Sequence, residues 1–213
     1  SSVSPDVCKA VAGYFEAGGA LNADRLIGFL ADLLSNDEQD AMSARLPHHP
    51  VMQAGLYLPH SDSAAVPSLE EVLAKAGDTT RPVAAIVFYR ALYQSGDTAP
   101  IDSLAASLAA QNMTVICLFV ASLKQPESAE ICADILSRAG TDIILNTTSF
   151  AVSDPDTAAI AQESNGRSPG PFGACDAPVF QVVLSSMRSD DWQASMAGLS
   201  ARDLAMHVAL PEL

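Results

Sequence analysis

The pattern of hydrophobic and polar positions changes near residue 80. Over the first 45 residues, apolar residues recur every three or four positions, which is typical of amphipathic helices, and a loop-rich stretch with one short helix follows. Beyond it, short continuous apolar runs alternate with helical patterns. Such runs suit strands that are buried on both faces, and their alternation with helices predicts a parallel sheet. We therefore expect three segments: a helical hairpin over 1–45, a loop-rich connection with a short helix over 46–80, and an α/β domain over 81–213.

The first segment carries start and stop signals for two helices. Ser4 is placed to cap the first helix and is followed by proline, which is favoured at the first helical position. The Gly18-Gly19 pair ends that helix, and Asn22 is placed to cap the second. Both helices are amphipathic and are joined by a short turn, so a hairpin is predicted.

The α/β domain is predicted to contain four strands. Each is followed by a helical pattern, and right-handed crossovers between parallel strands leave few topologies. We expect an open parallel sheet, flavodoxin-like or Rossmann-like, with helices on both faces and with the helical hairpin before it. The predicted strands are 83–89, 114–120, 142–145 and 178–184.

The loops that follow the strands are the candidate functional region. Ligands of open parallel sheets bind beyond the carboxyl ends of the strands. The loops concerned are 90–98, 120–125 and 146–177. The last has about 30 residues, a length usual for functional or mobile loops. The predicted substrate-binding residues are Arg90, Asp97, Thr98, Asn146, Ser149 and Phe150.

Each polar residue in this set also has a purely structural interpretation. Asp97 or Thr98 precedes a helix and can cap it. Asn146 and its neighbours can satisfy backbone groups where a strand ends. Arg90 can pair with Asp97 or with another acid. Caps and turns account for most polar residues at such positions, so we assign no catalytic residue.

Composition narrows the choice of partners. Twenty-five acidic and eleven basic side chains give a net charge of −14, with no basic patch, so nucleic acid and anionic membranes are not expected partners. No apolar run reaches the length of about 18 residues that a membrane-spanning helix needs. The cysteines are scattered without a CxxC pair, which favours a reducing, cytoplasmic compartment. They are Cys8, Cys117, Cys132 and Cys175, of which Cys117 and Cys132 are expected to be buried.

Several chemistries lack their sequence motif. There is no GxGxxG dinucleotide fingerprint, no GxxxxGK[ST] phosphate loop and no GxSxG nucleophile elbow. His48, His49 and His60 lack the regular spacing of metal ligands, and we predict no metal site.

Three stretches of the chain resemble a known family. They are "VFYRALYQSGDTAPIDSLAASLAAQNMTVICLFVASLKQPES", "DIILNTTSFA" and "APVFQVVLSSMRSDDWQASMAGLSARDLAMHVALPEL". In this order they resemble the large subunit of cobaltochelatase, in the CobN and magnesium chelatase family, over about residues 53–213. The sequence TAPID at residues 98–102 favours the cobalt enzyme over the magnesium enzyme.

The resemblance implies a function in aerobic cobalamin biosynthesis. The family inserts Co²⁺ into hydrogenobyrinic acid a,c-diamide, a ligase reaction that forms metal–nitrogen bonds. The large subunit holds the corrin ring and the cobalt, which is a substrate. Two smaller subunits complete the complex, and one is an AAA+ ATPase, so ATP and magnesium are expected on the partners and no cofactor on this chain alone.

The resemblance also implies a limit. The family's large subunit is much longer and continues beyond the "ALPEL" ending, so we expect an N-terminal portion that is inactive alone. Its catalytic residues are then expected outside the chain.

Three other functions stay open. The acidic surface and the strand-end loops also fit a tetrapyrrole-binding or subunit-docking module without chemistry of its own. The resemblance also allows the equivalent part of a magnesium chelatase large subunit. The polar residues of loop 90–98 also fit a stand-alone α/β enzyme.

Overall fold

The computed structural model describes residues 3–50, 52–61, 65–77, 80–148, 171–196 and 198–205. Contacts divide the chain into two compact units. The division predicted from the sequence, with boundaries at residues 45 and 80, stays a prediction. Unit 1 comprises Ser1–Met52, Asp62–Ala65 and Ala91–Asp97, and unit 2 comprises Gln53–Ser61, Val66–Arg90 and Thr98–Leu213.

Unit 1 is built on three helices, α1 (Pro5–Ala17), α2 (Ala20–Ser35) and α3 (Glu38–Ala44). The sequence predicted only the first two. Asp37 caps the additional helix, because its carboxylate accepts the N–H groups of Gln39 and Asp40 at 3.0 Å each. The three helices share one apolar core, formed by Val7, Ala10, Tyr14, Leu26, Phe29 and Ala41.

The role predicted for Asn22 is wrong. α2 begins at Ala20, so Asn22 lies inside the helix, where only 3% of it is exposed. Its carboxamide donates to the carbonyls of Gly18, at 2.7 Å, and His49, at 2.9 Å, and it accepts the His49 N–H at 2.7 Å. A helix-interior asparagine therefore binds the backbone of the segment that follows α3.

Two further side chains hold the same segment. The Tyr14 hydroxyl donates to the carbonyl of Leu46, and Arg25 donates through Nη1 to the carbonyl of Pro47 at 2.6 Å. Segment 46–49 has no regular secondary structure. These bonds therefore satisfy backbone groups that have no partner within a helix or a sheet.

Unit 2 contains a five-stranded sheet. Its strands are β1 (Ala54–Tyr57), β2 (Val83–Tyr89), β3 (Thr114–Val120), β4 (Ile143–Asn146) and β5 (Val179–Gln181). Their order across the sheet is β1-β3-β2-β4-β5. β2 to β5 are parallel to one another, as predicted, in the flavodoxin-like order 2-1-3-4. β1 adds an antiparallel edge, with Ala54 opposite Val120.

Helices cover both faces of the sheet, as the sequence predicted. α4 (Leu69–Ala76) and α7 (Pro126–Arg138) pack on the face to which Ala85 and Val87 point. α6 (Ala99–Ala110) packs on β2 and β3 from the other face. The residues of β2 from Ala84 to Phe88 all have exposed fractions of 0%, as expected for a central parallel strand.

The stretch predicted as a polar loop after β2 is largely helical. α5 (Arg90–Ser95) begins directly where β2 ends. Beyond β4, the described elements are a 3-10 helix (Pro171–Ala174), β5, α8 (Ser189–Ala194) and α9 (Ala201–Leu204). β5 is shorter than the predicted 178–184. No helix of the described residues is both long and apolar enough to cross a bilayer.

We predict that Asn22→Ala lowers the free energy of unfolding by about 2–4 kcal/mol, because it removes three hydrogen bonds between a buried side chain and the backbone of Gly18 and His49. Chemical denaturation of the variant chain measures this loss. Asn36→Ala is the matched control, since Asn36 is an exposed asparagine at the end of the same helix. Equal effects of the two substitutions would contradict a specific role for Asn22.

Candidate functional site

The carboxyl ends of β2 and β4 flank the point where the strand order reverses. β3 lies on one side of β2 and β4 lies on the other. The connection after β2 therefore runs towards one edge of the sheet, and the connection after β4 runs towards the opposite edge. In doubly wound sheets this switch point opens the crevice that binds ligands. We call the ends of β2, β3, β4 and β5 together the carboxyl edge. Arg90 directly follows β2 and Asn146 ends β4, so two predicted residues lie on the two flanks of the switch point.

Arg90 is joined to the neighbouring strands through Gln53. Its Nη1 donates to Gln53 Oε1 at 3.3 Å, and the side chain is half-buried. The carbonyl of Gln53, just before β1, accepts the N–H of Ala121 at 2.6 Å and the hydroxyl of Ser128 at 3.2 Å. These bonds fix Gln53 and so restrict the guanidinium. An arginine held at a ligand edge provides a permanent positive charge that can bind carboxylates in a bidentate manner.

Asn146 has the structural role expected of a polar residue where a strand ends: its side chain bonds to groups of the following turn. It is buried, and its Oδ1 accepts the N–H of Thr148 at 3.1 Å and the Thr148 hydroxyl at 2.8 Å. Its Nδ2 donates to Gln181 Oε1 at 3.0 Å. The neighbouring Thr147 hydroxyl donates to the carbonyl of Val87 at 2.9 Å, so it ties β4 to β2. This turn therefore forms a rigid wall of the switch point.

Gln181 bonds to this turn although it was not among the residues predicted from the sequence. Its Nε2 donates to the carbonyl of Thr148 at 2.6 Å, so its carboxamide bonds to the turn after β4 at two points. Gln181 is exposed and is the last residue of β5. The signal in the sequence was its place inside a predicted strand, where a glutamine among apolar residues is unusual.

Thr98 belongs to a different cluster. It occupies the N-cap position of α6, but its hydroxyl makes no capping bond. It lies 3.0 Å from the Tyr57 hydroxyl and donates to Asp102 Oδ2 at 3.3 Å, while Tyr57 lies 2.8 Å from Asp102 Oδ1. Burial raises the pKa of Tyr57; the Thr98 bond lowers it, and Asp102 raises it further. This triad ties the β1 edge strand to the first turn of α6.

Three of the predicted residues remain: Asp97, Ser149 and Phe150. Asp97 is exposed and belongs to unit 1, where its backbone N–H lies 3.4 Å from Ser95 Oγ. Ser149 and Phe150 lie outside the described residues. Of the six predicted residues, Arg90 and Asn146 are therefore the pair that the fold brings to the switch point.

Two of the cysteines, Cys117 and Cys132, are buried, as predicted. Cys117 and Cys132 have exposed fractions of 1% and 0%. Burial raises the pKa of both thiols to about 12, so they are protonated near neutral pH and are poor nucleophiles. Within the described part of the chain, no three histidine, cysteine or acidic side chains lie close enough to hold a metal ion.

The fold and the switch point define a doubly wound α/β domain whose carboxyl edge carries an arginine and a rigid asparagine turn. Residues 12–213 match the family described as CobN/Magnesium Chelatase, and the chain belongs to that family.

Two curated relatives are cobaltochelatase subunits. The chain is 34% identical over 218 residues to the aerobic cobaltochelatase subunit CobN of Sinorhizobium sp, a match that covers 100% of this chain and 16% of that protein. It is 39% identical over 133 residues to the aerobic cobaltochelatase subunit CobN of Pseudomonas aeruginosa, covering 62% of this chain and 10% of that protein. The chain thus spans only a small part of the length of these relatives.

A solved structure shares the fold. The catalytic subunit of cobaltochelatase from Mycobacterium tuberculosis matches with a TM-score of 0.67 and 26% sequence identity. The match covers 100% of this chain and 16% of that chain.

We predict that a thiol reagent at pH 8 labels Cys8 of the native chain quickly and leaves Cys117 and Cys132 unlabelled until denaturant is added. Cys8 is exposed, whereas the other two thiols are buried and protonated. Mass spectrometry of the labelled peptides measures each rate. Native labelling of Cys132 as fast as that of Cys8 would contradict the buried position.

A second prediction concerns the bonds between Asn146 and Gln181. Asn146→Ala and Gln181→Ala should be coupled by about 0.5–1.5 kcal/mol in the free energy of unfolding, because both disrupt one hydrogen-bond network. A double-mutant cycle in urea measures the coupling. Gln193→Ala is the control partner, since Gln193 bonds to Ser189 instead, and it should combine with Asn146→Ala additively within about 0.5 kcal/mol. Additive effects of the first pair would contradict the network.

Proposed function

We propose that the chain is an N-terminal part of the large, substrate-binding subunit of an ATP-dependent cobaltochelatase. The complete enzyme inserts Co²⁺ into hydrogenobyrinic acid a,c-diamide in aerobic cobalamin biosynthesis, in the cytoplasm. The proposal depends on one observation: similarity to cobaltochelatase subunits runs along the whole chain, at 34% identity in sequence and at a TM-score of 0.67 in structure.

The chemistry is divided between this polypeptide and its partners. Cobalt is a substrate, and ATP hydrolysis with magnesium takes place on two smaller subunits, one of them an AAA+ ATPase. The absence of a GxxxxGK[ST] phosphate loop from this sequence supports that division. Because the chain spans 16% of the Sinorhizobium relative, we place the catalytic residues in the remainder of the large subunit.

The carboxyl edge is the part of this chain that we assign to the corrin. The substrate is an acid, and its carboxylates need a cation in a protein whose net charge is −14. Arg90 supplies a cation at the carboxyl edge, on the side of β3 and β1, and its bond to Gln53 limits the entropy lost when a ligand orders it. The turn at Asn146 supplies the opposite wall.

Cobalt is favoured over magnesium as the inserted metal. The family includes magnesium chelatases, but the two curated relatives described above are cobaltochelatase subunits. The TAPID sequence at residues 98–102 agrees with the cobalt assignment. Insertion assays of the assembled complex with Co²⁺ and with Mg²⁺ separate the two.

The test of substrate binding is an optical titration of the full-length large subunit with hydrogenobyrinic acid a,c-diamide. We expect saturable spectral change, and we expect Arg90→Ala to raise the Kd about tenfold, the effect of losing one charge-assisted bond. Arg138→Ala is the matched control, since Arg138 bonds on the surface to Glu70 and Asp134, and its Kd should stay within about twofold of the unchanged protein.

Two results would contradict this proposal in different ways. No spectral change with the folded full-length subunit, together with no cobalt insertion in the presence of the smaller subunits and ATP, would remove the cobaltochelatase function. If neither Arg90→Ala nor Arg138→Ala changed the Kd for the corrin, the function would stand but Arg90 would not belong to the corrin site.

A further inference from the structure

The parallel part of the sheet has an incomplete strand order. β3, β2, β4 and β5 lie in the order 2-1-3-4, which is the first four positions of the doubly wound order 2-1-3-4-5. Among the described residues, the sheet ends at β5, and no strand pairs with its outer edge. Within the described ranges, the position of a fifth parallel strand is therefore not filled.

β5 is apolar but exposed on both faces. Val179 and Phe180 point to opposite faces of the sheet, because side chains alternate along a strand, and they have exposed fractions of 45% and 53%. The central strand β2, by contrast, is fully buried along Ala84 to Phe88. Parallel sheets occur almost only with both faces covered, and an apolar strand with an open edge promotes aggregation. In the part of the chain that the structure describes, β5 is thus an exposed edge strand that pairs on one side only, with β4.

The backbone of β5 has a defined inner and outer side. The N–H of Val182 donates to the Asn146 carbonyl at 2.8 Å, and the carbonyl of Pro178 accepts the Ile144 N–H at 2.9 Å. Backbone groups of even-numbered residues therefore face β4. Because direction alternates along a strand, the N–H and C=O groups of Val179 and Gln181 face the open edge.

The chain that follows β5 is fixed near its exit. Asp203 of α9 accepts the Ser185 hydroxyl at 3.0 Å and the Ser186 N–H at 3.1 Å. The same segment, 185–204, carries further exposed apolar side chains, with exposed fractions of 43% for Trp192, 104% for Met196 and 46% for Leu204. The elements that follow β5 in the chain thus also carry exposed apolar side chains.

We propose that the outer edge of β5 pairs with a fifth parallel strand, supplied by the part of the same large-subunit polypeptide that lies outside these 213 residues. This inference rests on the proposed function. Three observations favour this occupant: the chain spans 16% of the Sinorhizobium relative's length, the vacant position is the fifth of the doubly wound order, and the apolar surface lies on β5 and the elements after it. The added strand is apolar, because it lies beside Val179 and Phe180.

Hydrogen exchange of the full-length subunit tests the pairing at single residues. With a fifth strand, the amides of Val179 and Gln181 should exchange at least about 1,000-fold more slowly than in an unfolded chain, like those of Phe180 and Val182. Phe180 and Val182 are the internal controls, because their amides face β4. Fast exchange at Val179 and Gln181 beside slow exchange at the controls would overturn the proposal, as would fast exchange at all four.

Photo-crosslinking identifies the occupant. Phe180 is replaced by p-benzoylphenylalanine in the full-length subunit, and Phe15, which is 72% exposed in unit 1, receives the same change as the control. We expect an intramolecular cross-link from position 180 to one segment of the polypeptide outside residues 1–213, and no cross-link to that segment from position 15. Cross-links to a second copy, to a smaller subunit or within residues 1–213, or the lack of any cross-link, would overturn the proposal.

The outcomes distinguish a failure of the fifth-strand proposal from a failure of the proposed function. An open β5 edge in a subunit that supports cobalt insertion would remove the fifth strand and keep the function. A protected edge, cross-linked within a polypeptide that neither binds the corrin nor supports insertion, would keep the strand and remove the function.

Discussion

The parallel pairing of β2 with β3 on one side and β4 on the other determines the rest of unit 2. The pairing is stable because residues from Ala84 to Phe88 are apolar and fully buried, so each face of β2 can receive a layer of helices. It also creates the switch point, because the next strand in the chain, β3, lies on one side of β2, and β4 lies on the other side. The positions of Arg90 and Asn146 at the carboxyl edge are direct consequences of this one arrangement.

The central strands could be predicted because their own residues specify them. The runs Val83–Tyr89 and Thr114–Val120 are long, apolar and rich in β-formers, and the strands occupy those residues. β1 is different, since its four residues, AGLY, carry little pattern and form a strand through pairing with β3. α3 and α5 are likewise short, with seven and six residues, and a single turn or two gives too little periodicity to identify a helix.

The same distinction holds for the candidate site. The rule for parallel sheets located Arg90 and Asn146 without knowledge of any contact. Their partners could not be predicted, because Gln53 and Gln181 are separated from them by 37 and 35 residues and approach only after the sheet has formed. Asn22 shows the reverse case: the sequence suggested a local cap, but tertiary contacts with His49 use the side chain instead.

The polar groups of the carboxyl edge fall into two sets, those of the turn after β4 and Arg90 after β2. Asn146, Thr147 and Thr148 are buried and bonded to their neighbours, so they shape the crevice and are poorly placed to exchange their bonds for a ligand's. Arg90 is half-buried, and under the proposed function its guanidinium is the group that binds an acid ligand. The wall itself depends on β5, because Gln181 binds the Asn146 turn at two points. A strand added to the outer edge of β5 would therefore stabilise the crevice through Gln181 without touching the ligand.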